Sequence, residues 1–186
     1  MVTDIIQTAV LSLDGMEFNH IISCPHCGGT VQGFDRKKKK FAVLKEQTAE
    51  RIITVRVKRF YCRKCGNLCY PDEPFYPNTR IGSPVIDIFN SLSATMPASK
   101  AARVIGSLGL VVDRTTWKYY TGRAFPEIPV MDVFGMRLPL SVVRLSDLAI
   151  QTGESSPADP ADIIEACGYP SRRRVTNSPS GNKNEL

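Results

Sequence analysis

Two periodicities divide this chain. Between residues 51 and 62, RIITVRVKRFYC alternates, with Ile53, Val55 and Val57 on one side and Thr54, Arg56 and Lys58 on the other. That is the period of a half-buried strand. KKFAVLKEQ, residues 39–47, supplies a partner, joined to it through TAE. From residue 84 the period becomes that of a helix. Val85, Ile88, Phe89 and Leu92 fall at i, i+3, i+4 and i+7, with Ser83 placed to cap the helix and Pro84 at its first position. TMP breaks it. Ala101, Val104, Ile105 and Leu108 repeat the stripe within residues 97–109, and Gly109 is placed to stop it. A third helix begins in VVDRTTWKYYTG, residues 111–122. Asp113 is its expected N-cap, Val112 and Trp117 form a hydrophobic staple, and Gly122 ends it.

The cysteines bring in chemistry. CPHCGG at 24–29 and CRKCGN at 62–67 are matched pairs, each Cys-x-x-Cys followed at once by glycine. Such a pair wraps a metal ion in a tight turn, and the chain leaves through a left-handed conformation that Gly28 and Gly66 adopt without a Cβ penalty. Two pairs give four thiolates, Cys24, Cys27, Cys62 and Cys65, the closed tetrahedral set of one structural Zn2+. A β-hairpin carrying both turns is a zinc ribbon. CPHC also looks like the active-site motif of thiol–disulfide oxidoreductases, whose first cysteine sits at a helix N-terminus. Here GGTVQGF follows, a poor helix start and a good entry to a strand. A disulfide framework is the remaining alternative. His26 lies inside the first turn, Cys69 is a reserve ligand or a small buried side chain, and Cys167 packs in a distant apolar stretch.

These readings give an α+β protein: a small zinc-ribbon β-hairpin module, an all-α helix-turn-helix module and short C-terminal helices. Residues 1–17 are an N-terminal helix or extension, 18–70 the zinc ribbon, 71–83 a proline-rich linker and 84–122 the helix-turn-helix. Residues 123–170 form a C-terminal extension with two short helices. PEIPVMDVFGMRLPL, residues 126–140, reads as an extended connection. LSVVRLSDLAIQ has Val142, Leu145, Leu148 and Ala149 on one helical face. ADIIEACG is a short helix capped by Asp159 and closed by Gly168. Residues 171–186, beginning SRRR, form a disordered basic and polar tail.

Charge sharpens the picture. Residues 36–65 hold twelve Lys/Arg against two Glu, while the whole chain of 186 residues carries a net charge of only +6. One segment is strongly basic and the rest mildly acidic, which points to a local polyanion contact. Lys37, Lys38, Lys39, Lys40, Arg56, Lys58 and Arg59 are the expected phosphate contacts. Three short helices with LGLVVD before the last read as a helix-turn-helix, whose third helix would enter the major groove of double-stranded DNA. Arg114, Thr115 and Lys118 would then face base edges or phosphates. A plain three-helix bundle and a solvated charged hairpin are the bland alternatives. No run approaches the roughly 18 apolar residues of a membrane span. The first residues, MVTDIIQTAVLSLDG, have no basic cluster and resemble neither a signal nor a transit peptide. The expected location is cytoplasmic and nucleoid-associated, without a membrane.

The order CPHCGG, RFYCRKCG, then ASKAARVIGSLGLVVDRTTWKYY resembles the N-terminal half of prokaryotic insertion-sequence transposases, over roughly residues 18–122. The resemblance implies a zinc ribbon ahead of a helix-turn-helix that binds transposon ends. Such transposases continue into a catalytic domain with an acidic triad. Only 64 residues follow Gly122 here, and Asp132, Asp147 and Glu154 are read as surface acids. No catalysis is assigned. The expectation is a DNA-binding part standing alone: a truncated transposase, an accessory protein or a derived transcriptional regulator. Its partners would be DNA, with a transposase or an RNA polymerase subunit or a second copy of itself as further candidates. The alternatives are a zinc-ribbon adaptor docking its basic segment on an acidic protein, and a thiol oxidoreductase using Cys24 and Cys27.

Overall fold

A computed structural model describes residues 2–153 and 158–168. The chain is α+β. It opens with α1 (Val2–Leu11) and the two-residue β1 (Glu17–Phe18), followed by the long strands β2 (Val31–Lys45) and β3 (Glu50–Cys62) and the short β4 (Leu68–Cys69). Three helices come next: α2 (Ser83–Ser93), α3 (Ala98–Ser107) and α4 (Arg114–Thr121). The strands β5 (Val130–Val133) and β6 (Met136–Pro139) lead into α5 (Leu140–Thr152) and α6 (Pro160–Ala166).

The alternation of residues 51–62 does make a strand, but its partner runs farther than the period suggested. β2 pairs with β3 from Lys45↔Glu50 back to Val31↔Cys62, with bulges near Phe34 and Phe41. The bulges broke the alternation that the sequence reading relied on. β1 pairs parallel to β3 at Glu17↔Arg56, and β4 antiparallel at Phe60↔Cys69. Both lie on the side of β3 away from β2, so β2 is an edge strand.

The core runs through the inner half of the hairpin and every helix. Phe41, Leu44, Ile53, Val55 and Val57 join Ile6 and Leu13 of the N-terminal segment, the apolar stripes of α2 and α3, and Leu138, Val142, Leu145 and Ile163. Phe89 of α2 stacks on Trp117 of α4, with ring centroids 4.2 Å apart, a pairing worth about 1 kcal/mol beyond its area. The proline-rich stretch expected as a linker is itself packed: Phe75, Tyr76 and Ile81 are buried. Tyr120 Oη accepts from the Arg80 amide at 2.8 Å, and Arg123 donates to the Pro77 and Asn78 carbonyls at 2.9 and 3.1 Å.

The helix caps follow the sequence with one shift. Asp113 caps α4, accepting from Thr116 N at 2.8 Å, and Asp159 caps α6, accepting from Ala161 N at 2.8 Å. Gly109 follows α3 with φ +83°. At α2 the cap is Gly82, one residue before the expected Ser83. Any side chain at Gly82 would run into the ring of Phe41. Residues 126–140, read as an extended connection, instead contain the β5–β6 hairpin. Its two-residue turn puts both Phe134 (φ 50°) and Gly135 (φ 77°) in the left-handed region. A hairpin turn of that kind favours Asn or Asp first, and phenylalanine hid it. Glu154 and the tail at 171–186 lie outside the described residues.

Candidate metal centre and basic ribbon

Each Cys-x-x-Cys folds as the same small device. In the first, Gly28 N donates to Cys24 O at 2.8 Å and Cys24 N to Gly29 O at 2.9 Å. In the second, Gly66 N donates to Cys62 O at 3.0 Å and Cys62 N to Asn67 O at 2.9 Å. Gly28 and Gly66 take φ of 68° and 72°, the left-handed exit that the spacing required. The antiparallel pairing of β2 and β3 sets Val31 opposite Cys62, which brings the two turns together at one end of the hairpin.

The Sγ atoms of Cys24, Cys27, Cys62 and Cys65 all lie within 4.8 Å of one another. Cys24 and Cys65 are 3.6 Å apart, and Cys27 and Cys62 are 3.5 Å apart. A metal–sulfur tetrahedron with 2.3 Å bonds has edges of about 3.8 Å, so the set fits one tetrahedral metal with little adjustment. The backbone prepares the thiolates. Burial opposes ionisation of Cys24, but the amides of His26 and Cys27, with the Cys69 and Cys65 thiols, outweigh it and lower its pKa to about 6. The Cys65 amide lowers the pKa of Cys62 in the same way, helped by the Lys64 amide. At Cys27 the Gly29 amide favours the thiolate, yet burial and the neighbouring thiols of Cys62, Cys65 and Cys24 prevail, and its pKa rises to about 12. Four crowded sulfurs without a cation cannot all ionise, which is the electrostatic demand a divalent metal meets. Cys69 is buried beside the cluster, its Sγ 3.5 Å from that of Cys24. His26 is exposed. Cys24 opens a turn that leads to β2 rather than to a helix. Cys167 is buried in the main core, where burial raises its pKa.

The register sorts the seven candidate phosphate contacts of the hairpin. Residues directly opposed in an antiparallel pair share a face. Arg36 opposes Lys58, Lys38 opposes Arg56, and Lys40 opposes Thr54, so five cations crowd one face. Glu17 answers two of them: Arg36 Nε lies 3.0 Å and Arg56 Nε 3.9 Å from its oxygens. On the other face Lys39 is bound to Glu73 at 2.8 Å and lies over the Phe75 ring, while Arg59 forms a two-pronged pair with Asp35. That pairing holds the Asp35 carboxyl well below its ordinary range. Lys37 sits opposite Val57 on this side. Arg36, absent from the sequence-based set, belongs to the basic face. Strand parity places it with Lys38 and Lys40 once β2 is known to begin at Val31 rather than at residue 39.

The candidates on α4 are all on the surface: Arg114, Thr115 and Lys118 are exposed, while Trp117 and Tyr120 turn inward. A groove of about 580 Å³ runs between β2 and the start of α4, bordered by Lys37–Lys40, Arg80, Asp113 and Thr116 and floored by Ile81, Val85, Leu110 and Val112. A second hollow, sharing Arg80 and Thr116, is lined by Thr115 and the exposed Tyr119. Lys37–Lys40 of the hairpin and Thr115 of α4 therefore border neighbouring depressions, while Arg56, Lys58, Arg59, Arg114 and Lys118 line neither. Among the described residues no helix is long and apolar enough to cross a membrane. No family model, curated protein or solved structure matches this chain.

Proposed function

We propose that the protein is a zinc-dependent binder of double-stranded DNA, in which a zinc ribbon grips the phosphate backbone and a helix-turn-helix formed by α2, α3 and α4 reads the groove. Cys24, Cys27, Cys62 and Cys65 would hold one Zn2+, whose role is to tie the two turns together. The observation that carries the reading is the face of the hairpin bearing Arg36, Lys38, Lys40, Arg56 and Lys58. Like charges directly across a strand pair destabilise it. A sheet face that tolerates two such cationic pairs in succession is suited to an external polyanion. Phosphates would replace the mutual repulsion with attraction and release counterions from the nucleic acid.

On this reading the ribbon supplies affinity without sequence information, and Arg114, Thr115 and Lys118 supply discrimination at base edges. The resemblance to insertion-sequence transposases suggests transposon ends as the kind of target. Binding of random-sequence duplex DNA across a salt series tests the proposal. Affinity should fall with salt at a log–log slope of about −3 or steeper, and replacing Lys38 and Lys58 by Glu should reduce that slope by about 2. Affinity that is flat in salt, or unchanged in the double variant, contradicts it.

A further inference from the structure

The groove beside β2 has an organisation that phosphate contact does not use. Gly15 N donates to Thr54 O at 2.7 Å and Arg56 N to Met16 O at 2.8 Å, so Thr54 and Arg56 turn their backbone groups toward the N-terminal segment. Backbone direction alternates along a strand. Val55 and Val57 therefore bond to β2 through Lys39 and Lys37, and the N–H and C=O groups of Arg36, Lys38 and Lys40 point outward from the free edge. Farther along, the same edge is covered. Gly82 N donates to Phe41 O at 2.7 Å, Val111 N to Val43 O at 2.9 Å, and Lys45 N to Gly109 O at 2.8 Å. The open stretch thus continues a line of main-chain pairing that the protein itself begins.

We infer that this edge and its groove bind an extended acidic peptide of a partner protein, added to the sheet as a further strand beside residues 36–40. The geometry dictates the peptide's pattern. Alternate side chains of an added strand share the two faces of β2. One set would lie beside Arg36, Lys38 and Lys40 and must be acidic. The other would lie on the face of Lys37 and of the Glu73-paired Lys39, beside the groove residues Ile81, Val85, Leu110 and Val112, and must be apolar. The lysines also exclude the competing occupant. A second copy of this chain pairing through the same edge would set lysine against lysine, the device by which exposed edges avoid self-association. The inference does not rest on DNA binding.

The test uses the full chain loaded with zinc and a fluorescent peptide of alternating Glu and Val. Saturable binding is expected, with an alternating Lys/Val peptide failing to bind. N-methylation of the peptide residues that face β2 should weaken binding by about tenfold or more, because the paired amides are lost. Hydrogen exchange should slow at the amides of Lys38 and Lys40 and not at those of Lys37 and Lys39, which the hairpin already protects. Absence of binding, indifference to N-methylation, or equal protection of the Lys38 and Lys40 amides by duplex DNA overturns the inference. Salt-dependent duplex binding in a protein that ignores the peptide would sink this inference alone.

Discussion

The two halves of one hairpin are held by different physics. The inner half, residues 41–45 and 50–57, lays Phe41, Leu44, Ile53, Val55 and Val57 into a core shared with each of α1 to α6. The outer half, residues 31–40 and 58–62, adds no buried side chain to that core. Its own buried cluster is Cys24, Cys62 and Cys69, with Ile21, Cys27, Val31 and Phe60 packed around it. So small an apolar cluster cannot offset the entropy of ordering two strands and two turns. The contrast teaches where each force is needed. Apolar burial organises the body, and the arm that carries the cationic face depends on its four-cysteine cluster, a set that fits one tetrahedral metal.

The largest effect that would break the comparison is removal of the metal that the four cysteines would hold. Structural zinc contributes on the order of 10 kcal/mol of binding free energy. Chelation, or Cys62→Ser, should abolish hydrogen-exchange protection in residues 24–36 and 58–69 while α2, α3 and α5 keep theirs. A body that unfolds together with the arm would show that the two halves are not separately supported. Next in size is the converse change. Phe89→Ala removes a buried ring stacked on Trp117 and should cost about 3–5 kcal/mol of global stability while leaving metal affinity unchanged.

A smaller effect separates the halves by pH. Asp87 of α2 is buried, and burial raises its pKa to about 6 against the hydrogen bonds it accepts from Tyr76 Oη at 2.5 Å and Ser141 Oγ at 2.9 Å. The folded state therefore binds a proton that the unfolded state releases near pH 4. Stability of the body falls as pH rises from about 4 to about 6, by about 3 kcal/mol at most. Asp87→Asn should flatten that slope in urea titrations, and a slope unchanged by the substitution contradicts the assignment. The smallest change concerns α4. Asp113→Ala removes the cap of α4 and should cost about 1 kcal/mol, measured by thermal unfolding.

The sequence was most legible where one residue type meets one local need. Gly28 and Gly66 after the cysteine pairs, Asp113 and Asp159 at helix starts, and the stripe of Val85, Ile88, Phe89 and Leu92 all announce local geometry, and they are found where expected. What stayed hidden depends on distant pairing. The bulges near Phe34 and Phe41 conceal the full length of β2, and with it the division of the lysines between two faces. Burial of Phe75, Tyr76 and Ile81 turns a proline-rich stretch from an expected spacer into part of the core. The carboxylates that neutralise Arg59 and Lys39 come from Asp35 and Glu73, and only the folded register shows that these two cations are already answered.

The central claim is that one metal ion, held by four named sulfurs, organises the arm. X-ray absorption at the zinc edge, with metal analysis of the purified protein, addresses it most directly. The account predicts one zinc per chain surrounded by four sulfurs at about 2.3 Å. A folded arm without metal, or a shell containing nitrogen or oxygen in place of one of those sulfurs, would contradict it.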